Sequence, residues 1–204
     1  MTPFSSRVYL LRHGELVEQG VLAGHTDFAL SKNGVEQLNS AVPGITGIER
    51  IISSTLIRCS VFATELANRQ QIPLVLTDQI REYNFGEWDG CKYEFLWQQT
   101  HSPSIGDFWQ EPWHVTPPGG ERMAEFYERI ATWWHTLLID IAKTNTQAQL
   151  VITHAGVIKQ LLAIICQLPK QSQQQNIFSI GYGKHVCIEV FIDESGHAWP
   201  RIIF

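Results

Sequence analysis

The chain is 204 residues long, 44% hydrophobic, and carries a formal net charge of −5. That size and apolar content allow one sizeable core, and the acidic balance argues against a general nucleic-acid binder, which needs a basic surface. No apolar run approaches the length needed to cross a bilayer, and "MTPFSSRVYLL" lacks the basic start and long apolar stretch of a cleaved signal peptide.

Short β-branched runs alternate with helical patterns along the first three quarters of the chain. "RVYLL" (7–11) reads as a strand, and residues 30–42 as a helix with Ser31 as its N-cap. "ERIISS" (49–54) is a second strand, followed by a helix over 55–69 marked by Leu56, Cys59, Ala63, Leu66 and Ala67. "IPLVLT" (72–77) is a third strand, with Pro73 at its start or on an edge. Residues 84–118 are rich in aromatics, Gly and Pro with no sustained periodicity beyond a turn or two of helix, and read as a lid-like insertion. Tyr83, Phe85, Trp88, Trp97, Phe108, Trp109 and Trp113 are expected to pack under it, with stacking on a flat base as the functional alternative.

Periodicity returns with Met123, Phe126, Tyr127, Ile130, Trp134, Leu137, Leu138 and Ile141, the apolar face of a long helix, with Trp133 and Trp134 in the core. "AQLVIT" (148–153) is a fourth strand and residues 156–168 a buried helix. The polar run 171–176 reads as a loop. Three further strands are expected at 177–183, 185–192 and 198–204, with a hairpin turn at 193–196. The pattern predicts a single α/β domain over residues 1–204. Its central sheet should be mostly parallel, in three layers with helices on both faces, and edged by antiparallel strands from the C-terminal segment.

The charged residues fall at strand ends. Arg12 and His13 follow the first strand, Arg58 opens the helix after the second, Arg81 and Glu82 come soon after the third, and His154 follows the fourth. In a parallel sheet these all reach the carboxyl edge, where open α/β sheets bind ligands. Guanidinium groups match phosphoryl oxygens, a neutral histidine is a nucleophile, and a nearby carboxyl group can protonate a leaving oxygen. Such a set suffices for phosphoryl transfer without a metal, and no P-loop or dinucleotide motif is present. Cys59, Cys91, Cys166 and Cys187 have no CxxC spacing and the histidines no HExxH, so neither a metal nor a cofactor is expected. Unclustered thiols fit a reducing cytoplasm. Taken singly, Arg58 could pair with Glu65 or Asp78, His154 could be a satisfied strand-end histidine, and Glu87 and Asp89 stand close to Glu82.

In conjunction these residues carry a resemblance. "LLRHGE", "GHTDFALSKNGVEQ" (24–37), "SSTLIRCSVFATELA" (53–67), "IREYNFGEWDG" (80–90) and "VITHAGVI" (151–158) resemble, in order, the motifs of the histidine phosphatase superfamily, which includes phosphoglycerate mutases and many small phosphatases. The resemblance implies that His13 is the phosphorylated nucleophile. It also implies that Arg12, Arg58 and His154 hold the phosphoryl oxygens, and that Glu82, ahead of Glu15, Glu87 and Arg81, is acid and then base. "TPPGGERMAEFYERI" and "IFSIGYGKHVCIEVF" further resemble α-ribazole-phosphate phosphatases, implying α-ribazole 5′-phosphate or cobalamin 5′-phosphate as substrate in cobalamin nucleotide-loop assembly. Leu16, Gln19 and Arg122 depart from the family pattern, the first two where an auxiliary phosphate contact is usual and Arg122 where it could change what the pocket admits. The expected partner is a small phosphomonoester, with no nucleic acid and no membrane, and with monomer or homodimer left open. Alternatives are mutase-like transfer to a bound acceptor, a broad sugar or nucleotide phosphatase, and a catalytically silent phospho-ligand binder.

Overall fold

A computed structural model describes residues 2–170 and 177–203; the 171–176 run read as a loop lies outside them. Six strands form one sheet in the order β3-β2-β4-β1-β5-β6. These are β1 (Phe4–Arg12), β2 (Arg50–Ser54), β3 (Leu74–Thr77), β4 (Ala148–Thr153), β5 (His185–Ile192) and β6 (Ala198–Ile203). The first four are parallel, and β5 and β6 are antiparallel, as the C-terminal hairpin pattern predicts.

Alternation along the strands divides the core. Val8, Leu10, Ile52 and Val151 face one side of the sheet, where they pack with α5 (Met123–Thr144) and α6 (Ala155–Ile165). Tyr9, Leu11, Ile51, Leu150 and Ile152 face the other, against α1 (Lys32–Ala41) and α2 (Ile57–Gln70). β1 and β4 are therefore apolar on both faces, which places them centrally. The Ser31 hydroxyl caps α1 by accepting from the Gly34 N–H at 2.9 Å. α5 buries Phe126, Ile130, Trp133, Trp134, Leu137 and Ile141, and stops where Asn145 turns left-handed at φ 56°. Pro73 precedes edge strand β3 and contributes only its carbonyl, which accepts from the Ile51 N–H at 2.9 Å.

Two expectations, a strand at 177–183 and a packed Trp97, are corrected. Residues 177–183 are not a strand. Their β-branched and aromatic residues mimic one, but their backbone serves the end of β1: the Ile180 carbonyl accepts from Arg12 at 2.6 Å, and the Gly183 N–H, at φ 62°, donates to the His13 carbonyl at 3.2 Å. The 84–118 stretch holds two short helices, α3 (Tyr93–Gln98) and α4 (Ile105–Gln110). Tyr83, Phe85, Trp88 and Phe108 are buried beside Phe126 as expected, but Trp97 is 59% exposed because the short α3 turns Leu96 inward instead.

Candidate active site at the carboxyl edge

The sheet register assembles the site. Arg12, the last residue of β1, pairs with Thr153, the last of β4, so His13 and His154 leave the sheet side by side. The His13 N–H donates to the Thr153 carbonyl at 2.9 Å, and the two imidazole rings meet edge to face with centroids 5.2 Å apart. Behind His13 the chain comes within contact of α1: a Cβ on Gly14 would lie 2.0 Å from the Gly34 carbonyl oxygen. The glycine is thus required by that approach, and it holds the His13 turn against the helix.

The His13 Nδ1 lies 2.8 Å from the Gly14 carbonyl oxygen. A carbonyl only accepts, so Nδ1 carries the proton and Nε2 keeps its lone pair. Burial first, and then the charge of Arg58, hold His13 well below the usual histidine range, so the ring is neutral at neutral pH. Arg12 lies beside it, with its guanidinium carbon 3.9 Å above the centre of the Tyr182 ring. Among the described residues the Arg12 Nε is buried without a hydrogen-bond partner. An orphan guanidinium donor beside a neutral imidazole is a natural place for an anion oxygen.

Arg58 and His154 lie deeper. Arg58 is fully buried and donates from Nε to the His154 Nδ1 at 3.2 Å and from Nη1 to the Thr26 carbonyl at 3.0 Å, with Nη2 on the Gly24 carbonyl. Because a guanidinium only donates, His154 accepts at Nδ1 and is protonated at Nε2, which donates to the Ser54 hydroxyl at 2.8 Å. Burial, followed by the Arg58 charge, also lowers the His154 pKa well below its ordinary value. The surface alternatives for Arg58, a pair with Glu65 or Asp78, are not formed; Asp78 instead pairs with Arg81 at 2.9 Å.

Glu82 is buried, while Glu87 beside it is exposed. The Gly156 N–H, in the first turn of α6, donates to its Oε2 at 3.0 Å, and the Tyr83 N–H donates to its Oε1 at 3.0 Å. A Cβ at Gly156 would meet Oε1 at 2.2 Å, so a glycine is needed for this approach. The other carboxylates are committed elsewhere. Glu15 takes Ser31, Asn33 and Gln19, which anchors α1 and removes Gln19 from any phosphate contact. Asp89 accepts the backbone N–H groups of Gly24, His25 and Thr26. It thereby fixes the loop whose carbonyls hold Arg58, a role with no local sequence signature.

Arg12, His13 and Glu82 border a cavity of about 360 Å³; Arg58 and His154 stand behind that wall rather than in it. The remaining wall is aromatic and aliphatic, including Leu16, Phe85, Tyr93, Trp109 and Tyr182, with Lys159 from α6. Tyr93, Tyr182 and Lys159 were not among the residues expected from the sequence. Leu16 lines the cavity with apolar surface. Arg122 is spent on Glu125 at the exposed N-terminus of α5, at 2.7 Å, and is not among the wall residues. Among the described residues no three His, Cys, Asp or Glu side chains cluster as a metal site, and no helix is long and apolar enough to cross a membrane.

An open, mostly parallel sheet whose carboxyl edge gathers an Arg-His pair and a buried glutamate on one cavity, with a buried Arg and His behind its wall, defines a class, and other solved structures share the fold. Mycobacterial glucosyl-3-phosphoglycerate phosphatase in complex with VO3 superposes with a TM-score of 0.83 over 98% of both chains, at 21% identity. The sequence profile of the histidine phosphatase superfamily (branch 1) matches residues 8–191, and the chain belongs to that superfamily. Relatives include a bifunctional protein of Mycobacterium tuberculosis, 29% identical over 164 residues, which are 78% of this chain and 44% of that protein. The adenosylcobalamin/alpha-ribazole phosphatase of Escherichia coli K12 is 27% identical over 178 residues, covering 81% of this chain and 82% of that protein. The chain thus spans less than half the length of the mycobacterial relative.

Proposed function

We propose that this chain hydrolyses a phosphomonoester through a phosphohistidine at His13. The observation that carries the reading is a neutral, buried imidazole whose Nδ1 proton is tied to the Gly14 carbonyl, leaving Nε2 as the nucleophile in a cavity that Glu82 also borders. Nε2 attacks phosphorus as the ester P–O bond breaks, and protonated Glu82 gives its proton to the departing alkoxide. Glu82 then takes a proton from water, the water oxygen attacks phosphorus, and the P–N bond breaks to release phosphate and restore neutral His13. Arg12, with its orphan Nε, takes the phosphoryl oxygens. Arg58 and His154 join it when their present bonds to each other and to Ser54 exchange for the incoming anion.

For the alcohol portion, α-ribazole 5′-phosphate is supported by the aromatic wall of Tyr93, Trp109 and Tyr182, which suits a flat base, and by the Escherichia coli relative. A second reading, an ester carrying an acidic group, is favoured by Lys159 on the same wall. The test of the reaction is to trap the phosphoenzyme during turnover of an aryl phosphate. The label should be labile in acid, stable in base, and absent in His13→Ala. Label retained in that variant, or stable in acid, refutes the phosphohistidine.

A further inference from the structure

Lys159 lies one helical turn beyond Gly156 on α6, so the two share the face that borders the cavity. Helical side chains lean toward their helix N-terminus, which directs the long lysine stem back toward Gly156, Glu82 and the sheet edge. Lys159 is half-buried, and it makes no hydrogen bond or ion pair among the described residues. Glu82, the nearby carboxylate, accepts one N–H on each oxygen, from Gly156 and from Tyr83, and none from Lys159 among the described residues. Burial lowers the pKa of Lys159, against the pull of Glu82. A half-buried ammonium that makes no hydrogen bond or ion pair among the described residues, on a wall shared with Arg12, His13 and Glu82, is stabilised when an anion meets it.

The phosphoryl group is already provided for by Arg12 beside His13. Lys159 shares its helix face with Gly156, which abuts Glu82, and it feels the charges of both Glu82 and Arg12; Glu82 must face the leaving oxygen if it protonates it. We propose that Lys159 is a specificity-determining residue that binds an acidic group, a carboxylate or a second phosphate, on the alcohol portion of the substrate. The inference rests on the phosphatase reading and narrows it: α-ribazole 5′-phosphate carries no such second anion, whereas phosphorylated hydroxy acids do.

The test compares kcat/KM for esters matched except for one acidic group: 3-phosphoglycerate against glycerol 3-phosphate, and 3-carboxyphenyl phosphate against phenyl phosphate, with α-ribazole 5′-phosphate alongside. The wild-type chain should favour the acid member of each pair roughly tenfold or more, mainly through KM, as expected of one charge-assisted contact. Lys159→Met should bring the ratio near one, and Lys159→Arg should keep it. A ratio near one in the wild type, a higher kcat/KM for α-ribazole 5′-phosphate than for either acid, or an equal loss for both members in Lys159→Met would overturn the proposal. The last result would assign Lys159 to the phosphoryl group or to Glu82. Should no ester be hydrolysed, nitrophenyl phosphate included, the phosphatase reading fails. The binding of 3-phosphoglycerate against glycerol 3-phosphate to His13→Ala, by calorimetry, still decides the role of Lys159: equal affinities overturn it and tighter binding of the acid supports it.

Discussion

Gly156→Ala isolates Glu82, the proton donor of the proposed mechanism, from the rest of the site. The added Cβ would lie 2.2 Å from Glu82 Oε1, 3.0 Å from its Cδ and 3.3 Å from Oε2. Ordinary contact requires a separation of about 3.5 Å, so the carboxyl group must withdraw by roughly 1 Å. The 3.0 Å bond from the Gly156 N–H to Oε2 is then stretched or lost. A misplacement of that size can cost about 100-fold in rate, and the cost should depend on the leaving group. An alkyl phosphate, whose alkoxide must be protonated, should lose roughly 100-fold in kcat/KM, whereas nitrophenyl phosphate should lose less than about tenfold. The fold itself should not suffer, since alanine is favoured over glycine in a helix by up to about 1 kcal/mol. Shortening the acid in a Glu82→Asp, Gly156→Ala double variant should recover part of the alkyl phosphate rate, a non-additivity expected of two groups in contact. Steady-state kinetics on both esters, with Tm as the control for folding, make the assay. Equal losses on the two esters, or purely additive effects in the double variant, would refute the placement of Glu82 at the leaving oxygen.

Two further expectations concern His13, His154 and the loop that holds Arg58. His13 and His154 are both held below the ordinary histidine pKa of 6.5, so the unfolded chain binds more protons than the native one below that pH. Stability should therefore be intact above pH 6.5 and fall as the medium is acidified, by up to about 1.4 kcal/mol per pH unit for each histidine that stays neutral in the fold. Urea unfolding from pH 7.5 to 5 measures this slope in the wild type and in His13→Gln, which should lose part of it; a flat profile contradicts the assignment. Asp89→Ala removes the acceptor of three backbone N–H groups and frees the 24–26 loop that orients Arg58. It should cost about 1–3 kcal/mol in stability and raise KM for every phosphomonoester alike. A change confined to one alcohol would show that Asp89 acts on the substrate instead.

The strand ends were legible because a charged pair directly after an apolar run cannot belong to the core that precedes it. Arg12 and His13 after β1, and His154 after β4, announce the carboxyl edge by position alone, and the register between Arg12 and Thr153 bears that out. The motif ranks Glu82 ahead of Glu87, and the structure buries Glu82 against Gly156 of a helix 74 residues away while Glu87 is exposed. Asp89 was not legible, because its partners are backbone groups 63 to 65 residues distant, and any carboxylate in the loop satisfies the sequence pattern equally. Residues 177–183 misled for a related reason. Residue type reports β-propensity, whereas the partner of that backbone is the Arg12 guanidinium rather than a neighbouring strand. Depth is the property the sequence carries least. Arg58 and His154 follow strands just as His13 does, yet α2 and the 24–26 loop close over them and leave them behind the cavity wall. That depth has a chemical consequence, since burial first and then the Arg58 charge lower the His13 pKa, and Arg58 does so without competing for its Nε2. On the proposed mechanism, burial and then the Arg58 charge keep His13 neutral before any phosphate arrives, and Arg58 would turn its charge to the phosphoryl oxygens once one does.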